Sequence, residues 1–273
     1  MGNRLITRII IAVLCIGVMA SCNPFAKIQK SENIHDKYAA AVEYYKKKDY
    51  YHAGVLFEEL IPLMRGQAES EKTQFYYAYC QFFQSQLTLA AYYFKKFYET
   101  FPRSQNAEEA MFMYAMSLYE DSPKYNLDQT NTYLAIDAIQ DFANKHPQSK
   151  YLEKCNILID ELRAKLEEKS YSAAMLFYNM REYKSALILF ENFKTDFPES
   201  NRIEELMFLR VSAQFGLAKI SVDRKKKERF EKVKEFYEKF VDQYSSSKYL
   251  KQLDVMFDET NKELENLHKS GIN

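Results

Sequence analysis

The chain has 273 residues with a formal net charge of zero, so it lacks the clustered basic excess that a nucleic-acid footprint needs. Six glycines and six prolines leave few positions for tight hairpin turns, and Tyr and Phe alone, with no Trp, carry the 15% aromatic content. This composition predicts an all-α protein large enough to bury a sizeable core.

The first segment reads as an export signal. Arg4 and Arg8 precede the apolar run IIIAVLCIGVMA (9–20), and Ser21 and Cys22 come next. Twelve apolar residues fall short of the roughly 20 that span a bilayer, so residues 1–21 are expected to be removed. Met19-Ala20-Ser21-Cys22 resembles the lipobox of bacterial lipoproteins, although Met19 and Ser21 replace more usual residues. The resemblance implies cleavage before Cys22 and acylation of its sulfur and amine. Several acyl chains together hold firmly where one is marginal. The blander alternative is an ordinary secretory signal or short anchor helix with an incidental cysteine. Residues 22–34 then form a lipidated tether. Asn23 does not match the Asp that retains some lipoproteins in the inner membrane, so the expected location is the outer membrane, facing the periplasm.

Without residues 1–21, which hold Arg4 and Arg8 and no acid, 36 basic residues face 38 acidic ones. Cys15 leaves with the signal, and Cys80 and Cys155 sit inside apolar helical patterns. They are expected as buried thiols rather than a disulfide.

From residue 35 onward the chain repeats itself. FKKFYETFPRS (94–104) and FENFKTDFPES (190–200) share Phe, Phe, Phe-Pro and Ser at matching places, and IQDFANKHPQS (139–149) and YEKFVDQYSSS (237–247) vary the phrase. Each copy predicts an amphipathic helix stopped by proline, with the Ser available to cap the next helix. Upstream, Ala78, Ala90 and Pro102 are spaced by twelve and twelve, as are Ala174, Ala186 and Pro198. Ala41 with Ala53, and Ala135 with Pro147, are parts of the same ruler. Small residues at this interval let two antiparallel helices approach closely.

This spacing resembles the tetratricopeptide repeat, with Tyr and Phe where the repeat's usual Trp would stand. It implies a right-handed superhelical array of about five helix pairs. Residues 35–149 are expected to hold N-terminal repeats, and 150–268 C-terminal repeats with a capping helix over 248–267. The long helix 151–180 would join the two halves. The turn 120–130 is enlarged, and the charged insert SVDRKKKER (221–229) is expected as a solvated loop.

Catalytic constellations are missing from the pattern. His35, His52, His146 and His268 lie far apart with no metal-ligand spacing, and Gly54, Gly66, Gly216 and Gly271 form no phosphate loop. Glu108-Glu109 and Glu204-Glu205 read as helix starts favoured by the helix dipole. No enzyme activity, cofactor or metal is expected.

Binding surface remains. Phe75, Tyr79, Phe82 and Phe83 fall on one helical stripe, and Tyr38, Val42 and Tyr45 repeat it one unit earlier. These stripes either pack as core or line a groove for a peptide ending in apolar and aromatic side chains, with Lys46 and Lys72 near its carboxylate. Arg224, Lys225, Lys226 and Lys227 are a second candidate, facing acidic patches on a partner or anionic headgroups.

A lipobox followed by such repeats resembles the BamD family, lipoproteins of the outer-membrane β-barrel assembly machine. The likeness is closest over 146–200, and LAAYYFKKFYETFP (89–102) and EEAMFMYAMSLYED (108–121) add to it. It implies a non-enzymatic scaffold. Its C-terminal repeats would dock the barrel-forming BamA subunit, and its N-terminal repeats would contact targeting signals of unfolded outer-membrane proteins. A generic periplasmic repeat lipoprotein serving envelope division or secretion is the alternative. A glycan-binding or peptidoglycan-cleaving lipoprotein is disfavoured by the absence of Trp and the regular ruler.

Overall fold

The computed structural model describes residues 24–270, so the signal segment and Cys22 lie outside the described residues. Among the described residues there are twelve helices and no strand. They are α1 Pro24–Gln29, α2 Ile34–Lys46, α3 Tyr50–Leu63, α4 Ser70–Phe83, α5 Leu87–Thr100, α6 Ala107–Glu120, α7 Thr130–Lys145, α8 Leu152–Asn179, α9 Tyr183–Asp196, α10 Ile203–Lys219, α11 Asp223–Gln243 and α12 Leu250–Lys269. Each helix packs on the next from α1 to α7 and from α9 to α12. First helices of successive pairs also touch, α2 on α4 and α10 on α12. The all-α array of helix pairs with a last helix behind it is the one the repeat spacing predicts.

Two compact units emerge, 24–123 with 128–162, and 124–127 with 163–270. Their division falls inside α8. The first unit holds two cores, one under Phe57, Leu60 and Tyr77 and one under Phe94, Phe97, Phe142 and Leu158. The second is built on Phe190, Phe193, Leu206, Phe230 and Phe240.

The repeated phrase occupies equivalent places. Its second ring or partner lies over the residue four further on with centroids 5.3 Å apart for Phe97–Phe101, 5.2 Å for Phe142–His146, 5.2 Å for Phe193–Phe197 and 5.1 Å for Phe240–Tyr244. Each of these helices ends on a residue outside the α region, Phe101, His146, Phe197 or Tyr244, with φ between −121° and −132° and ψ between 55° and 63°. In three copies proline then removes the next donor. Serine closes the turn in all four, its Oγ accepting the backbone N–H two residues on, at Asn106 (3.0 Å), Tyr151 (3.1 Å), Arg202 (3.1 Å) and Tyr249 (3.1 Å).

Ala41, Ala53, Ala78, Ala90, Ala135, Ala174 and Ala186 are all fully buried, as close helix crossings require. Cys80 and Cys155 are buried free thiols, and burial pushes the Cys80 thiol up to about 12.

One expectation is corrected. The insert 221–229 is not a loop beyond its first two residues, because α11 begins at Asp223. Ion pairs Asp223–Lys226 (2.9 Å) and Glu228–Lys232 (3.9 Å) sit at i,i+3 and i,i+4, the spacing that supports a helix through so charged a stretch.

Candidate functional site

The aromatic stripes of α2 and α4 converge in the first unit. Tyr45 stacks on Tyr76 with centroids 4.4 Å apart and rings 12° from parallel. Lys72, one turn before Tyr76, holds its ammonium 5.5 Å from the Tyr76 ring centroid, so a cation and two phenols form one group. Tyr38 completes it from the side. Burial raises its phenol above the ordinary value while the nearby Lys72 pulls the other way. Burial also pushes the Tyr45 phenol upward. Beside Lys72 a pocket of about 350 Å³ is lined by Ala68, Glu71, Lys72, Phe75, Tyr76 and Asn106.

The other end of α4 carries a second group. Phe83, 47% exposed, stacks on Tyr50 at 4.4 Å and on Tyr79 at 5.6 Å. Tyr79 is half-buried, lies edge-on to Phe94 at 5.0 Å and donates its phenol to the Glu109 carboxylate. Burial first, then that hydrogen bond, raises its pKa. Phe82 is half-buried with its ring 5.7 Å from Phe83.

The remaining candidates spread differently. Phe75 is 6% exposed and packs on Phe94 and Phe97, inside the core of its own pair. Lys46 is exposed in the last turn of α2. Arg224, Lys225 and Lys227 are on the first turns of α11, and Lys226 is held by Asp223, whose hydrogen bond raises the Lys226 pKa.

Tyr76 and Tyr50 are absent from the predicted stripes, although Tyr76 stands at i, i+3 and i+7 with Tyr79 and Phe83, while Tyr50 opens α3 and belongs to neither stripe. The i,i+4 spacing of Lys72 and Tyr76 was the available signal. A pocket of about 340 Å³ in the second unit was equally hidden, since Lys194, Arg210 and Lys239 come from α9, α10 and α11. There the Arg210 guanidinium lies 3.9 Å from the Phe236 ring centroid and 3.2 Å from a Glu191 oxygen.

Among the described residues no helix is long and apolar enough to cross a membrane. The family model described as YfiO, outer membrane lipoprotein, matches residues 30–178, more than half of the chain, from just before α2 to the end of α8. Outer membrane protein assembly factor BamD of Rickettsia prowazekii (strain Madrid E) is 24% identical over 218 residues, covering 78% of this chain and 85% of that protein.

Proposed function

Because this chain belongs to the YfiO family of outer membrane lipoproteins, we propose that it is a non-enzymatic scaffold of outer membrane protein assembly. Cys22 carries the lipid that holds it on the periplasmic face of the outer membrane. The first unit receives aromatic-ended signals of unfolded outer-membrane proteins. The second docks a BamA-like barrel-forming subunit, with Arg224, Lys225, Lys226 and Lys227 offering cations to acidic residues.

The observation that carries the reading is the placement of Lys72 by Tyr76 and Tyr45 at one end of α4 and of Phe83 on Tyr50 at the other. Eleven residues of helix separate Lys72 from Phe83, about 16 Å at 1.5 Å per residue. An extended peptide of about five residues covers that distance. Its terminal carboxylate meets Lys72 and an upstream aromatic side chain rests on Phe83.

The test is anisotropy titration with a short peptide ending in Phe, as free acid and as amide. The free acid is expected to bind about tenfold more tightly, and Lys72→Met to remove the difference. Equal affinity of acid and amide for the unaltered chain overturns the assignment. Copurification of a barrel-forming subunit with the tagged chain tests the docking role.

A further inference from the structure

The segment next to the lipidation candidate is docked on the first repeat. Phe25 of α1 lies 4.2 Å from the His52 ring and 5.8 Å from the Tyr44 ring, centroid to centroid. Ile28 packs on the same core. Gln29 Nε2 donates to one Glu59 oxygen at 2.9 Å while Lys37, only 8% exposed, donates to the other at 2.8 Å. Apolar and polar contacts together fix α1 against α2 and α3.

Chain reach then limits where a lipid on Cys22 can be. Phe25 is three positions after Cys22, so their Cα atoms are at most about 11 Å apart. Tyr44 and His52, the rings under Phe25, flank the α2–α3 turn. That turn carries Lys46, Lys47 and Lys48 in succession, all exposed. Tyr51 comes soon after, 64% exposed, with its ring 5.3 Å from that of His52. Two acids lie nearby and offset part of this charge, leaving the turn net positive. Glu43 pairs with Lys47 at 2.6 Å, and Asp49 accepts from the His52 backbone N–H (3.2 Å) and lies 2.8 Å from His52 Nδ1.

We infer that the α2–α3 turn is a membrane-contact surface that takes anionic phospholipid headgroups, with Tyr51 seated at the interface. The inference rests on the proposed lipidation of Cys22, which brings a bilayer within reach. Lysines near an anionic surface add attraction and an exposed Tyr suits the headgroup level. The anchor supplies a high effective concentration, so weak contacts suffice. The first repeat thus lies against the bilayer, and the α2–α4 face is presented at a set distance from it.

The chain has no Trp, so Tyr51→Trp installs a single reporter. Lipid-anchored protein is placed in vesicles of phosphatidylethanolamine and phosphatidylglycerol containing brominated lipid. The emission of the introduced indole is expected to shift to the blue and be quenched. Lys46→Gln/Lys47→Gln/Lys48→Gln, and separately Phe25→Ala, should reduce the quenching while flotation with the vesicles persists. Unanchored Cys22→Ser protein is expected to lose about fivefold in partitioning onto these vesicles for each of Lys46 and Lys48 neutralised and less for Lys47, which pairs with Glu43, and to ignore phosphatidylcholine vesicles. A floating protein whose indole emits as it does without vesicles sinks the inference. Mass measurement of the Cys22 peptide tests the lipidation separately. If native Cys22 is bare, coupling a thiol-reactive phospholipid there restores the anchor, since Cys80 and Cys155 are buried, and the quenching measurement still decides.

Discussion

Ser104, Ser149 and Ser200 each join two repeats. The hydroxyl that accepts from the following helix also donates to a carboxylate of the preceding pair. Ser149 reaches Glu108 at 2.6 Å, Ser200 reaches Glu167 at 2.7 Å, and Ser104 donates to Glu71. The serine closes the turn rather than capping the next helix, whose N-cap is Asn106 after Ser104 and Arg202 after Ser200, and losing a hydrogen bond of this kind costs about 1 kcal/mol. For a chain of this size Ser149→Ala or Ser200→Ala should lower the midpoint of thermal unfolding by about 2–4 °C, read by circular dichroism. Around Ser200 the joint is charged as well. Arg202 donates to Glu168 at 2.7 Å and lies 4.3 Å over the Tyr171 ring. Its hydrogen bond holds the Glu168 carboxyl below the ordinary carboxylate range. A depressed folded pKa means the stabilisation is fully present above the unfolded value, about 4.3, and is lost as pH falls through the folded value. Denaturant midpoints measured from pH 5 down to pH 3 should therefore fall more steeply for the unaltered chain than for Arg202→Met.

At the scale of the helix pair, the turn between the two helices is as regular as the proline-ended turn, and polar breaks at Lys48-Asp49-Tyr50 and Gln84-Ser85-Gln86 locate two of them in the sequence although no glycine marks them. Lys48, Ser85 and Arg181 have φ of 62°, 58° and 61°, each five positions before Ala53, Ala90 or Ala186. In each, the residue after the left-handed one donates to the carbonyl five back, Asp49 to Tyr44 (3.0 Å), Gln86 to Gln81 (2.9 Å) and Glu182 to Phe177 (2.9 Å). This closure normally selects glycine. Left-handed backbone costs a side-chain-bearing residue about 1–2 kcal/mol, against which glycine's larger entropy loss is about 0.5–1 kcal/mol. Ser85→Gly and Arg181→Gly should each stabilise by about 0.5 kcal/mol, read as a raised urea midpoint at unchanged slope. A lowered midpoint would show that the turn is not strained. The contrast explains what the sequence could reveal. Proline and fully buried alanine leave identity-level traces because few residues meet their constraints, whereas Lys, Ser and Arg in a glycine position show where the helix breaks but not its left-handed geometry. The run at 221–229 misled for the same kind of reason. Its charge density suggests a loop, and only the pairing of Asp223 with Lys226 and Glu228 with Lys232 reveals a helix. In the binding face, Tyr45, Tyr79 and Phe83 are legible as stripes, whereas Phe75 on the same stripe turns into the core, and Tyr50, which Phe83 stacks on, comes from the start of another helix.

Across the molecule, the two units carry the same phrase on separate cores. Phe97 and Phe193 hold the same place in it, and both are fully buried. Cutting either to alanine removes a large buried ring and leaves a cavity, at a cost of about 3–5 kcal/mol. Stacked repeats gain stability from their own contacts and their immediate neighbours, so such a loss stays local when each core is built from its own helices. Native-state hydrogen exchange should therefore separate the two variants. Phe97→Ala is expected to speed exchange in α4–α7 and leave α10–α12 near the unaltered rates. Phe193→Ala is expected to do the reverse. The peptide-binding assay gives the functional counterpart, because every residue of the proposed face lies in α2–α4, within the first unit. Phe193→Ala should keep the acid-over-amide preference at 25 °C, and Phe97→Ala, which undercuts Phe75 at 5.1 Å, should weaken it. Uniformly faster exchange in both variants would mean that the chain melts as one cooperative body. The separate loss of peptide binding would then go with it.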